Sequence, residues 1–590
     1  MRGTVKYLLG ALVAFGCSEP ARTFRNPGDG GATGDGPCAP GMVYCEGSSV
    51  AFRCDTKGQV SVRTTCEAPA GQCVPGIGCR VCRPDSTRCD PTRSNRPQRC
   101  RMDGGGWDDG TECDAAAGQS CNAGMCQDRC NDAAIGRSYL GCSYWPTVTA
   151  NSALDPMFRF AVVLSNPQGY NVRATITGGA LPAPRVVDLM PGAIETVELP
   201  WVNDLVQLNA NCPRDITGRC IGSTPARSVI ARNGAYHVQT NGPIVAYQFN
   251  PLTFSVNDRF FSYTNDASLL LPQNVLTRRY TVAAWPDLDN PTGAASYSGF
   301  VSVVGVTGET TEVTVRANGR VRAGTGVTAL GVGQTQTYTL QAGDVLQLVG
   351  DGRGDLTGTT IESSLPVAVF VGHDCAQVPT GRVACDHLEE QLLPDETWGR
   401  DYVVSALRDR GATTQYVVRV MSRADDNEIT FTPEDVHAPV VLRRGEVAEF
   451  QSTRHFRARG TGPFLVTQFM IGQGPATTGG TGAGDPAMVL EVPVQQYRDR
   501  YDFYVPDTYP SNFFNVVAPT GSALTLDDMP LRGSSEMLGE FTIYTLPIAA
   551  GAHRLRSGAG QGIGLKVYGI ARYTSYMYPG GLDLQIITPG

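Results

Sequence analysis

Beyond about Ser138 the chain is written in short apolar or alternating runs, separated by clusters of Gly, Pro, Asn and Asp. Period-two alternation buries one side chain in two and marks a half-buried strand; helical periodicity is scarce. Residues 236–249 read as a β-hairpin. An alternating strand reaches Asn241-Gly242-Pro243 and is followed by a run too apolar to face water. A proline cannot donate to a ladder, so Pro243 is assigned to the turn or to a strand edge. The pattern recurs. Residues 360–371 carry Pro366 at the same place, 456–469 carry Pro463, and 553–568 are a fourth form with Gln561-Gly562-Ile563 instead.

Each hairpin closes a longer unit with a fixed order. An aromatic-bearing lead strand comes first, at 139–145, 280–285, 402–407 and 501–505. An apolar strand follows at 160–166, 300–305, 416–422 and 513–518, then an alternating one at 172–177, 312–316, 428–432 and 523–526. Four such units predict an all-β chain of tandem β-sandwich units, each able to bury enough apolar area to hold itself together.

The 19 cysteines sharpen the picture. Cys38, Cys45, Cys54, Cys66, Cys73 and Cys79 are matched in order by Cys82, Cys89, Cys100, Cys113, Cys121 and Cys126. Two modules this small cannot stand on a hydrophobic core, so two disulfide-rich modules precede the sandwiches. Six cysteines per module leave about 15 pairings open. Zinc is the rival reading for Cys79 and Cys82, but no second close pair follows. The remaining close pairs are Cys130 with Cys142, Cys212 with Cys220, and Cys375 with Cys385.

Arg2 and Lys6 followed by a short apolar run over 7–15 form a signal too short to span a bilayer. Ala14-Phe15-Gly16-Cys17 resembles a bacterial lipobox, which would place a lipid on Cys17 and leave an even number of cysteines to pair. The Gly-, Pro- and Asp-rich stretch 18–37 reads as a flexible tether. The expected division is a signal peptide over 1–17, a tether over 18–37, Cys-rich modules over 38–80 and 81–130, and sandwich units over 131–252, 253–374, 375–484 and 485–590. A net charge of -8 argues against a nucleic-acid partner. Only Lys6, Lys57 and Lys566 are lysines; the other basic residues are arginine, as in a GC-rich genome.

Several runs carry a family resemblance: 139–145, 246–251, 265–272, 366–375 and 385–391. Over about 130–580 the chain resembles the IgGFc-binding protein amino-terminal domain family. The resemblance implies an extracellular, non-catalytic binding or adhesion role, and it supplies no catalytic residues. It does not imply that this chain binds immunoglobulin.

Candidate chemistry is sparse. His373-Asp374-Cys375 and Cys385-Asp386-His387 would be drawn together by a Cys375–Cys385 bridge, making His373, Asp374, Asp386 and His387 candidate metal ligands. The plainer reading is a disulfide-pinned loop whose polar residues cap strand ends. Asp287, Asp289 and Asn290, like Asp425, Asp426 and Asn427, hold calcium-type oxygens but are also ordinary turn residues. Arg353-Gly354-Asp355 matches an adhesion tripeptide that arises easily by chance in such a composition. Trp285, Trp398, Tyr576 and Tyr578 would stack on sugars if exposed, though aromatics in sandwiches are more often core. No Gly-x-Ser-x-Gly elbow, His-Glu-x-x-His or phosphate loop is present, and no cofactor is implied. The expectation is a lipid-anchored surface protein, exported to the outer membrane or cell surface, with an extracellular protein or glycan ligand. A structural envelope scaffold and a secreted glycan-active enzyme are the alternatives.

Overall fold

The computed structural model describes residues 24–25, 33–34, 38–208, 225–257, 260–288, 296–382, 384–409, 412–473 and 484–587. Cys17, the signal peptide, Cys212, Cys220, Asp289 and Asn290 lie outside them, as does the tether apart from Phe24–Arg25 paired with Thr33–Gly34. The chain divides into two units, 1–128 and 129–590.

In the first unit one pattern occurs twice. Val43–Glu46, Val50–Cys54 and Val60–Thr65 form a three-stranded sheet, followed by the pair Gln72–Val74 and Gly78–Arg80. Thr87–Cys89, Pro97–Cys100 and Trp107–Asp109, then Gln119–Asn122 with Met125–Asp128, repeat it. The pairings left open by the sequence are the same in both modules: first with third, second with fifth, fourth with sixth cysteine. The first module's small apolar clusters include the cysteines themselves.

The second unit contains four two-layer sandwiches with one topology, plainest in the third. Its eight strands are Asp401–Val404, Tyr416–Ser422, Asn427–Thr432, Val440–Leu442, Val447–Ser452, Phe456–Gly460, Phe464–Met470 and Met488–Leu490. One sheet has the order first, sixth, third, fourth; the other has fifth, second, seventh, eighth. The same two orders recur around Gly141–Tyr144, Arg279–Thr281 and Arg500–Val505 as first strands, with an added edge strand beside the fifth in the second sandwich (Val229–Ala231) and in the fourth (Ser535–Leu538).

The four expected hairpins are therefore not hairpins. Phe456–Gly460 pairs with Asp401–Val404 and Asn427–Thr432, whereas Phe464–Met470 pairs with Tyr416–Ser422 and Met488–Leu490. Between them the chain steps from one layer to the other. Thr360–Ser363 and Val367–Ala376 do the same, as do Gly551–Ser557 and Gly564–Ala571. In the first sandwich the step lies inside the continuous strand Tyr236–Phe249, whose first half pairs with Val172–Gly178 and second half with Phe160–Ser165. The proline that resembled a turn residue interrupts a ladder, and interruption serves a layer change equally well.

The two layers differ in burial, which explains the two hydrophobic patterns. Asn427–Thr432 alternates buried and exposed positions, so its sheet has a wet face. Phe464–Met470 is buried throughout because it faces two cores. Phe464, Val466 and Met470 enter the third sandwich's core, which also takes in Phe513, Tyr568, Ile570 and Met577 of the fourth, while Leu465 and Phe469 enter a larger core shared by all four sandwiches. The eighth strands meet around that shared core in a closed ring: Ala267–Leu269 touches Asp386–Gln391, which touches Met488–Leu490, which touches Thr574–Pro579, which returns to Ala267–Leu269. Because each eighth strand pairs with the seventh strand before it, the sandwiches end at 269, 391, 490 and 579, beyond the boundaries 252, 374 and 484 drawn from the sequence.

A tyrosine fastens each layer step. The Tyr402 hydroxyl donates to the Phe464 carbonyl at 2.6 Å and accepts from the Gly399 amide at 3.3 Å. Tyr280 to Val367, Tyr501 to Ile563 and Tyr144 to Ile244 make the equivalent donations. All four side chains are fully buried.

Candidate functional site

The strongest sequence candidates lie where the first three sandwiches meet. Cys375 and Cys385 are bonded, with Cα atoms 5.1 Å apart, and the bridge brings His373-Asp374 alongside Asp386-His387. Both segments belong to paired strands, Val367–Ala376 and Asp386–Gln391, whose register slips between His373 and Ala376. That slip accommodates the bridge.

All four side chains have 0 % exposure, and each is directed at a different neighbour. Asp374 accepts from the Ser152 amide and hydroxyl, both at 2.6 Å. His373 Nδ1 accepts from the Cys375 amide at 3.1 Å. Asp386 Oδ1 accepts from the Asn265 amide at 2.6 Å and the His387 amide at 2.8 Å. His387 Nε2 meets Thr149 Oγ1 at 3.2 Å and Asn250 Nδ2 at 3.1 Å. Among the described residues no group of three or more His, Cys, Asp or Glu side chains is arranged to hold a metal ion.

Two residues within the runs 265–272 and 385–391, but not among the proposed metal ligands, complete this junction. Glu389 Oε2 accepts from Thr149 at 2.7 Å and Asn250 at 3.2 Å. Asp266, from the first sandwich, accepts from the Glu389 amide of the second at 3.1 Å and the Met488 amide of the third at 3.2 Å. Asp266 stands just before the strand Ala267–Leu269, and Glu389 lies in Asp386–Gln391, whose one apolar residue is Leu388; the signal there was a strand too polar to be buried without partners. Burial pushes the carboxyls of Asp266, Asp386 and Glu390 well above the ordinary range, and each is pushed further by neighbouring carboxylates. Burial also pushes His373 down to about 3. The arrangement is that of a buried clamp.

The other candidates are turn and cap residues. Asp287 accepts from the amides of Gly299, Gly352 and Gly354, and Asp425 accepts from the Arg444 amide. Asp355 pairs with Arg419 at 2.6 Å. Trp285, Trp398, Tyr576 and Tyr578 are core residues.

Accessible concavity lies on the rims. An open cleft of about 570 Å³ is lined by Leu276, Arg278, Arg279, Glu362, Glu396 and Ile586, among others. Arg279 is held in place by Glu396 at 3.0 Å. A second opening of about 320 Å³ is lined by Asn166, Asp502, Asp527, His553 and Arg554, among others. Both combine charged groups with apolar walls; in the first the Thr277 hydroxyl donates to Glu396 at 2.8 Å, and in the second His553 Nδ1 lies 2.8 Å from Asp527.

A family model described as IgGFc binding protein matches residues 266–569, which take in the second and third sandwiches and most of the fourth. A Homo sapiens protein named IgGFc-binding protein is 27% identical over 338 residues, covering 55% of this chain and 6% of the human protein. The chain thus spans only a small part of that relative's length. No solved structure matches.

Proposed function

The chain belongs to the IgGFc-binding protein family, and from that premise we propose that it is an exported, lipid-anchored, non-catalytic binding protein of the cell surface. The lipid sits on Cys17, the disulfide-rich modules act as a stalk, and the four-sandwich body presents the ligand-binding face. The family match over 266–569 carries this reading. Disulfides in both units support an oxidising compartment, and among the described residues no helix is long and apolar enough to cross a membrane.

The buried junction supports the non-catalytic part. Its histidines and carboxylates are enclosed, with His373 Nε2, His387 Nδ1, Asp386 Oδ2 and Glu390 Oε1 buried without a hydrogen-bond partner among the described residues, so a ligand must engage the rims. The Arg279–Glu396 cleft is the face we assign, because it offers fixed charges beside apolar walls to an extracellular protein or glycan. Purified full-length protein is tested on intact cells, a glycan array and immobilised immunoglobulin Fc. Saturable binding that falls at least tenfold in Arg279→Glu supports the assignment. Failure to bind in any arm leaves the envelope scaffold as the better reading, and turnover of a polysaccharide overturns the non-catalytic one. Palmitate labelling that disappears in Cys17→Ser tests the anchor separately.

A further inference from the structure

We propose that Lys566 and Gln468 are joined by an intramolecular amide bond, formed when the Lys566 amine attacks the Gln468 carboxamide with Glu491 carrying the proton. Beyond residue 57 the chain uses arginine at every basic position except 566. Arginine stays protonated in proteins, so a position that needs an amine nucleophile needs lysine. This lysine is 4 % exposed, in the strand Gly564–Ala571 of the fourth sandwich.

Its surroundings supply the remaining parts. Lys566 Nζ lies 2.5 Å from Gln468 Oε1, 2.7 Å from Glu491 Oε1 and 3.1 Å from the Ser405 carbonyl. Gln468, on Phe464–Met470 of the third sandwich, is 0 % exposed and anchors its Nε2 on the same Ser405 carbonyl at 3.0 Å. A carbonyl bond of about 1.2 Å puts the carboxamide carbon within about 3.7 Å of the amine, close to the separation of a near-attack pair. Burial pushes the Lys566 ammonium pKa down and the Glu491 carboxyl pKa up, the direction that passes a proton from nitrogen to carboxylate. A cavity of about 20 Å³ lined by Glu491 and Lys566 has room for one small molecule.

The step balances without a co-reactant. The Nζ–Cδ bond forms and the Cδ–Nε2 bond breaks. The proton released by Nζ passes through Glu491 to Nε2, which leaves as ammonia, and nothing is oxidised or reduced. The product staples the seventh strand of the third sandwich to that of the fourth.

Mass spectrometry of the full chain, reduced and alkylated, tests this. The expected result is a mass lower than the processed sequence by one ammonia. A digest should then give one branched peptide joining the Gln468 and Lys566 segments, with lysine-specific cleavage blocked at 566. Lys566→Met and Glu491→Gln should each restore two linear peptides. The wild-type digest decides the matter even if these variants fail to fold. Two linear peptides from the wild type overturn the proposal and leave a plain buried ion pair. A branch at Asn515, which lines the same small cavity, overturns the choice of Gln468, and loss of one water with a branch at Glu491 overturns the aminolysis.

Discussion

Single side chains fix the layer steps, and the tyrosines are the plainest case. Tyr402→Phe keeps the ring but leaves the Phe464 carbonyl and the Gly399 amide without their partner. An unsatisfied buried group costs about 1–3 kcal/mol, so urea unfolding should register a loss in that range. Tyr280→Phe and Tyr501→Phe should register similar losses, because their hydroxyls do the same task. The acidic junction makes a pH prediction. The carboxyls of Asp266, Asp386 and Glu390 are raised on folding, first by burial. Groups raised in this way contribute fully below about pH 4 and lose that contribution as pH rises through their folded values. The melting temperature should therefore fall as pH climbs from 4 towards 8, and Asp386→Asn, neutral throughout, should flatten the fall. The sequence offered both sets of residues but not their surroundings. Tyr402 was visible as an aromatic in a lead strand, whereas nothing local tells that His387 and Asp386 point into a dry junction. Their burial depends on Thr149, Asn250 and Asn265, more than a hundred residues earlier in the chain.

At the scale of elements, strand existence was legible and strand pairing was not. Phe464–Met470 was readable as a buried strand because it is apolar but for Thr467 and Gln468, and Asn427–Thr432 as half-buried because it alternates. The Gly-Pro at 462–463 could equally end a hairpin or step between sheets, since both need an interrupted ladder. The partner strands decide, and they are remote. This layer step makes register unforgiving. One residue inserted between Gly462 and Pro463 would turn Leu465 and Phe469 away from the shared core and exchange them with Phe464, Val466 and Met470. Loss of the cooperative native transition is expected, whereas the same insertion in the exposed turn at Gly521 should leave the melting temperature nearly unchanged. The bridge between Cys375 and Cys385 closes a short loop in a strand pair that is already well packed. Its removal by paired serines should cost roughly 2–3 kcal/mol, read from denaturant midpoints.

Over the whole 129–590 body, closure is the feature that no local pattern could announce. The repeat was readable in the sequence, but a string of four sandwiches and a ring of four look alike there. The ring is closed by the chain's last strand. Thr574–Pro579 packs on Ala267–Leu269 as well as pairing with its own Gly564–Ala571. Beyond it, the Tyr139 amide donates to the Leu582 carbonyl at 3.1 Å and Arg137 Nε donates to that of Leu584 at 2.7 Å. The Tyr139 hydroxyl in turn meets the Asp502 backbone of the fourth sandwich. In an open string, removing 574–590 would loosen only the fourth sandwich. In a closed ring it exposes the shared core at two faces, so the first sandwich should loosen too. Amide exchange on the truncated chain should therefore rise in Gly141–Tyr144 and in the second half of Tyr236–Phe249, hundreds of residues from the cut, while the first strand of the third sandwich, Asp401–Val404, keeps more of its protection. Exchange confined to 500–573 would mean that the four sandwiches behave as independent beads, and the ring contacts would then contribute little to their stability.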